Sequence, residues 1–339
     1  MLPVMQARNY GDPNRPGFAD CTGCNICVLP CPVWRQTHDR SLTLAGRAKA
    51  LQRGIPVEVL AESLEACVLC GACEPVCPVK IDTVGMTIDL RARLAAGGHS
   101  PLAKAASILP MMTVKDRAVA ESGAGSGATR FMPGRALRSD PDRTRQFVSL
   151  FEKQHIARTE DDGADLTISL EAGLPIDPLR KAKFLASLKG ARELIVGDGL
   201  LHRYLREWLP SAKIIGIGEA LLRLAPVRGA LKSSDLYVIE TRGYHADFAR
   251  LVRFYDGLRQ ETGCAMNLDL QRAAIPTGAG SLQNLLGLEN LDLAAQTRWV
   301  IEGRKIERIV IEDAADREVF AKITPLPVVH LAELAATAG

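Results

Sequence analysis

Cysteine placement constrains this chain more than any other feature. Cys21, Cys24, Cys27 and Cys31 stand in the spacing C-x2-C-x2-C-x3-C with Pro32 directly after, and Cys67, Cys70, Cys73 and Cys77 repeat it with Pro78. Eight of the nine cysteines therefore lie within residues 21 to 77. Disulfides explain this poorly, because 339 residues with 47% apolar composition have material for a core without covalent staples. Tetrahedral zinc explains it poorly too, since such sites use two pairs and a third cysteine beyond each pair is surplus.

Iron-sulfur chemistry fits both the count and the spacing. Thiolates are soft ligands, and two intervening residues let successive sulfurs reach adjacent irons of a cube. The run matches the bacterial ferredoxin pattern, in which three cysteines hold one [4Fe-4S] cluster and the fourth crosses to the other. On that pattern Cys21, Cys24, Cys27 and Cys77 hold one cluster, and Cys67, Cys70, Cys73 and Cys31 hold a second. Gly23 and Gly71 interrupt the two runs where a missing Cβ lets the backbone turn tightly beside the sulfurs. Pro32 and Pro78 remove an amide donor and direct the chain outward.

The 35 residues from Pro32 to Ala66 are too many for the short spacer of a small ferredoxin. Leu42, Ala45, Ala48 and Leu51 recur at helical intervals, and Pro56 to Leu64 is again helix-like, so residues 1–100 read as a helical two-cluster domain. Residues 101–160 read as a connector, with the Gly-rich run 122–127 and five arginines from Arg130 to Arg145. Residues 161–339 alternate strand-like and helix-like patterns and predict an α/β layered domain with a mostly parallel sheet. Strands are expected at Leu194–Val196, Lys213–Ile217, Leu236–Ile239, Ile309–Ile311 and Val328–Val329. Helices are expected after Asp177-Pro178, through Leu201 to Leu209, at Leu221–Leu224, over Ala246 to Glu261 and near Ala314 to Phe320.

These residues carry a family resemblance. Cys21 to Trp34 and Leu64 to Arg91, joined by a helical insert, resemble the dicluster ferredoxin module of heterodisulfide reductases and of the iron-sulfur subunits of anaerobic glycerol-3-phosphate, glycolate and lactate dehydrogenases. The segment Cys70-Gly71-Ala72-Cys73-Glu74-Pro75-Val76-Cys77-Pro78-Val79-Lys80-Ile81 looks especially like the lactate-utilisation members. The C-terminal half is similar in outline to the cysteine-rich domain of those families, which carries a cysteine in one motif and Cys-Cys-Gly in another. The corresponding stretches here, Glu240 to His245 and Ile275 to Gly280, contain no cysteine. The resemblance thus implies a retained fold with a lost ligand set, and a redox partner, a flavoprotein dehydrogenase, passing electrons towards quinone or another carrier.

The remaining features narrow the function. A net charge of +3 with 5% aromatic residues gives neither the basic excess nor the stacking surfaces of a nucleic-acid binder. Without an 18-residue apolar window or an apolar leader, the chain is expected in the cytoplasm, reaching a membrane only through partners. Cys264 reads as a small buried hydrophobe and His245 as a surface or capping residue. Gly197-Asp198-Gly199 and Thr277 to Ser281 read as ordinary loops, neither being a nucleotide motif. The arginines at 130, 135, 138, 143 and 145 read as a solvated face, with a docking segment for a partner as the alternative. The expected function is a non-catalytic electron-transfer subunit of an oxidoreductase complex, with no catalytic residue of its own. A heterodisulfide or thiol reductase, and a redox-responsive scaffold or assembly factor, are the alternatives.

Overall fold

In the computed structural model, which describes residues 15–110, 112, 128–151, 156–159, 161–288 and 291–337, the first hundred residues fold as short helices with no strand among those described. Pro32 occupies the first position of a helix, Pro32–Thr37, that stops at His38 in the left-handed region. Leu44–Gln52 follows and buries Leu44, Ala45 and Ala48, as the helical spacing predicts. The expected Pro56–Leu64 helix begins instead as a 3-10 turn, Val57–Leu60, and becomes α-helical only over Ala61–Ala66. The longest helix of this half, Thr83–Ala96, is capped by Asp82, whose side chain accepts from the Gly85 amide. Phe18, Leu44, Ala48, Leu64, Met86, Leu90 and Leu94 form the core between these helices.

The C-terminal part holds two parallel sheets rather than one. The first contains β1 (Thr129–Met132), β2 (Ala157–Arg158), β3 (Glu193–Val196) and β4 (Lys213–Gly216) in the order β2-β1-β3-β4. The second contains β5 (Asp235–Val238), β6 (Ala265–Met266), β7 (Arg308–Ile311) and β8 (Val328–His330) in the order β6-β5-β7-β8. Each half therefore repeats one plan, with its second strand at an edge and its first beside its third. The central strands are continuous apolar runs, Leu194-Ile195-Val196, Leu236-Tyr237-Val238 and Ile309-Val310-Ile311, because helices cover both faces. One core, including Phe131, Ile195, Ile215, Leu221, Tyr237, Tyr255 and Val310, joins the two sheets into a single body.

Several expected boundaries move, each for a local reason. Thr129-Arg130-Phe131-Met132, inside the stretch expected as a connector, lies in the middle of the first sheet, paired with β2 and β3. Its arginine breaks the apolar run that marks the other central strands. Ile217 leaves its expected strand to start the helix Ile217–Leu222. The helix expected over Ala246 to Glu261 is two, Thr241–Ala246 and Phe248–Thr262, broken at Asp247 with φ −125° and ψ 38°. The Gly-rich run 122–127 lies outside the described residues. Among those described, no helix is long and apolar enough to cross a membrane.

The two parts meet along a close seam. Gly173, at φ +71°, ends the helix Ala164–Ala172 directly against the backbone of Arg91 and Ala92 in Thr83–Ala96. A Cβ there would stand 2.4 Å from the Arg91 carbonyl carbon, so only glycine lets the domains approach this closely.

Candidate metal centre

Both cysteine runs are built on turns that need unusual backbone. In the first, Gly23 at φ 79° and Asn25 at φ 61° take the left-handed region, leading into a 3-10 turn, Ile26–Val28. Lys49 Nζ and Gln52 Nε2 donate to the Cys21 carbonyl at 2.8 and 2.9 Å, tying this loop to Leu44–Gln52. In the second run Leu69 at φ 52° and Gly71 at φ 75° do the same work, and the single helical turn Cys73–Val76 separates the last two cysteines of that run, beginning at Cys73 and ending before Cys77.

The thiols gather in two groups that cross between the runs. Burial pushes the Cys27 thiol up to about 12, and its neighbours Cys21, Cys77, Cys24 and Cys31 push the same way. Burial likewise pushes Cys70 up to about 12, with Cys67 and Cys31 adding to it and the Ala72 amide opposing. Cys73 is raised by burial and then by Cys70 and, more weakly, Cys67. Burial disfavours ionisation of Cys67 as well, but Arg47 and Arg91 beside it outweigh that and hold the thiol below its usual value. Cys31, at the end of the first run, lines one cavity with Cys67, Cys70 and Cys73 of the second, and Cys77 packs into one core with Cys21 and Cys27.

A cavity lies at the second group. Cys31, Cys67, Cys70 and Cys73 line it together with Cys27, Arg47, Thr83 and Thr87. Arg47 is 2% exposed, donates to Ser63, and keeps a buried Nε with no hydrogen-bond partner. A space lined by five soft donors, with an orphaned cationic donor beside them, suits an anionic thiolate-iron cluster. A family model for the 4Fe-4S dicluster domain matches residues 17–81. That match makes the chain an iron-sulfur protein. No curated protein and no solved structure is a significant match to it.

The α/β domain grips the second run of this iron-sulfur domain. Arg242 Nη2 donates to the Val68 carbonyl at 3.0 Å, and Gln283 Nε2 donates to those of Cys67 and Glu65 at 2.8 and 2.6 Å. His245 corrects the sequence expectation of a surface or capping residue. It is 4% exposed; its Nδ1 contacts the Cys70 carbonyl at 2.7 Å and its Nε2 accepts from the Ala274 amide at 3.0 Å. Those partners fix the neutral tautomer with the proton on Nδ1, and burial holds the ring down at about 4. Arg91 is wholly buried in the seam and donates to the carbonyls of Leu64, Cys67 and Glu171. The sequence reading missed Arg47, Arg91, Arg242 and Gln283.

The two stretches set against the family's cysteine motifs do converge. Glu240, Thr241 and Arg242 meet Ile275 to Gly278 at the carboxyl ends of the strands, in a polar pocket also lined by Val68, Cys70, Arg135, Asp198, Asp313 and Asp316. Burial, then Asp313, raises Glu240 to about 8; burial also raises Asp313 and Asp316. Cys70 is the one thiol in its lining, itself an expected cluster ligand, and a disulfide reductase has no second sulfur there to work with. Gly197-Asp198-Gly199 follows β3 and opens the helix Gly199–Trp208, with Asp198 accepting from the Leu200 and Leu201 amides. Cys264 is 1% exposed, packed in the shared core and contacted by the Thr262 hydroxyl.

The arginine series is engaged within the α/β domain. Arg130 donates to the carbonyls of Ser187 and Lys189, and Arg135 to that of Gly280. Arg138 pairs with Asp162, Arg143 with Asp140 and Glu333, and Arg145 with Asp142.

Proposed function

We propose that this chain is the electron-transfer subunit of an oxidoreductase complex, carrying two [4Fe-4S] clusters, one on Cys21, Cys24, Cys27 and Cys77 and the other on Cys67, Cys70, Cys73 and Cys31. The observation that best supports this reading is the cavity that Cys31 of the first run lines with Cys67, Cys70 and Cys73, while Cys77 packs into the same core as Cys21 and Cys27. Bound there, the clusters take up and release electrons singly. The chain's own residues then decide where exchange is possible. At the first run Cys24 is exposed, and Ile26 and Leu29 stand 39% and 56% exposed beside it. An apolar rim around an exposed ligand suits a protein partner, which the family resemblance makes a flavoprotein dehydrogenase feeding quinone or another carrier. The second run is covered by the α/β domain, so docking and exchange belong to the first-run face.

Anaerobically prepared protein is expected to hold about eight irons and about eight acid-labile sulfides per chain. Cys31→Ser should damage the cluster held mainly by the second run, and Cys77→Ser the one held mainly by the first. Stoichiometric zinc without charge-transfer absorption, or loss confined to the mutated run, sinks the assignment.

A further inference from the structure

The second run, unlike the first, has its loop peptides held from another domain. The peptide joining Val68 to Leu69 presents its carbonyl to Arg242, so its N–H, that of Leu69, faces the other way, into the cysteine loop. The peptide joining Cys70 to Gly71 presents its carbonyl to His245, so its N–H, that of Gly71, likewise faces into the cysteine loop. Between them Leu69 is buried at φ 52° and Gly71 stands at φ 75°, conformations that persist when their surroundings over-determine them. A Cβ at Gly71 would stand 3.1 Å from the His245 Cβ, so the ring also closes the loop sterically. Arg242 and His245 lie on one short helix, Thr241–Ala246, and neither is free to wander: Glu171 receives Arg242 at 2.6 and 3.0 Å, and Ala274 holds the His245 ring. By contrast, the first run's Cys21 carbonyl is held by Lys49 and Gln52 of its own domain.

We propose that Arg242 and His245 are positioning residues which, by fixing the Val68 and Cys70 carbonyls, turn the Leu69 and Gly71 amides of the same peptide planes towards the ligand sulfurs and so set the potential of the second-run cluster alone. The α/β domain is on this reading a tuning clamp. The inference rests on the two-cluster reading above. Amide hydrogen bonds to cluster sulfurs stabilise the added electron, so a slackened loop lowers the potential.

An EPR-monitored redox titration of the anaerobically prepared full chain tests this, with the second-run signal assigned by its loss in Cys70→Ser. His245→Leu is expected to move the second-run cluster to a more negative potential and leave the first-run cluster in place. His245→Gln, which keeps a donor for the Cys70 carbonyl, is expected to return it most of the way. Arg242→Lys keeps a charge beside Glu171 but cannot also reach Val68; it should lower the same potential, and it serves where His245→Leu fails to fold. Both clusters at their original potentials in either variant with iron content intact, or both moving together, overturns the positioning role. Iron and sulfide counts on the same unsubstituted protein separate the two readings. Fewer than two clusters overturns both, whereas about eight irons with unmoved potentials overturns the clamp alone.

Discussion

Replacing Arg91 tests whether the seam between the domains is held by its buried guanidinium. Arg91 is 0% exposed and serves Leu64 through Nε and Nη2 at 3.0 and 2.8 Å, Glu171 through Nη1 at 2.6 Å, and Cys67 through Nη2. Burial lowers its affinity for the proton to about 10, with Cys67 and Glu171 opposing, so it stays charged at neutral pH. In Arg91→Met the Cys67 carbonyl keeps Gln283, while Leu64 and Glu171 each lose this buried donor. Two buried carbonyls at about 1–3 kcal/mol each, less about 1 kcal/mol for the relief of no longer holding a charge out of water, give a loss of about 1–5 kcal/mol. Against a total of about 5–15 kcal/mol that is a large fraction. Arg91→Lys should fall between, because one ammonium cannot reach carbonyls on opposite sides. Urea unfolding of the anaerobic full-length protein, followed by circular dichroism and by visible absorbance, reads both stability and cluster retention. A Met variant within about 1 kcal/mol of the unsubstituted protein, its absorbance intact to the same urea concentration, would refute the argument that this side chain pins the seam.

Gly173→Ala places a Cβ against the Arg91 and Ala92 backbone at a positive φ; strain of about 1–2 kcal/mol and overpacking of about 1–3 kcal/mol should add. An unchanged urea midpoint would mean that the seam yields freely. His330 gives a pH signature: Nε2–H donates to the Glu312 carbonyl, Nδ1 accepts from the Ala332 amide, and burial holds the ring down at about 3. Its folded pKa lies below the unfolded value of about 6.5, so the unfolded chain takes up the proton first as pH falls and stability is lost from about 6.5 towards about 3. Between pH 7.5 and 5.5 the stability difference between the unsubstituted protein and His330→Gln should narrow by about 1.4 kcal/mol. A difference constant over that range would show that the ring takes up its proton in the folded state as well.

What the sequence made legible was whatever announces itself by spacing. The doubled cysteine run gives the cluster domain, and apolar triplets such as Ile309-Val310-Ile311 give the inner strands. Elements that fail to announce themselves share one property, that a polar residue does an interior task. Arg130 sits in β1 with its guanidinium turned to the carbonyls of Ser187 and Lys189, so a central strand reads as part of a basic connector. Arg47 and Arg91 interrupt helical apolar faces, where a charge by itself gives no sign of burial. A signal was present for Arg91, since Thr87 and Leu94, four before and three after it, lie on the same face and are buried. A charge in the middle of such a stripe must find partners in the interior, and here it finds main-chain carbonyls from both domains.

The clamp on the second run was out of reach for a different reason. Arg242 and His245 meet Val68 and Cys70 across more than 170 positions of chain, and each partner is a backbone carbonyl, which every residue carries. No residue pattern marks which carbonyl will be held. His245 shows the consequence: judged by its neighbours in sequence it has no cysteine or carboxylate companion, and in the fold its companions are the Cys70 carbonyl and the Ala274 amide. The absence of cysteine from Glu240 to His245 argues against thiol chemistry on that stretch. Two donors now stand on that stretch where the resemblance expects a ligand, directed at the neighbouring cluster loop. On the clamp reading, a domain with no cysteine on that stretch acts on the adjacent domain's redox site by controlling where two peptide planes point.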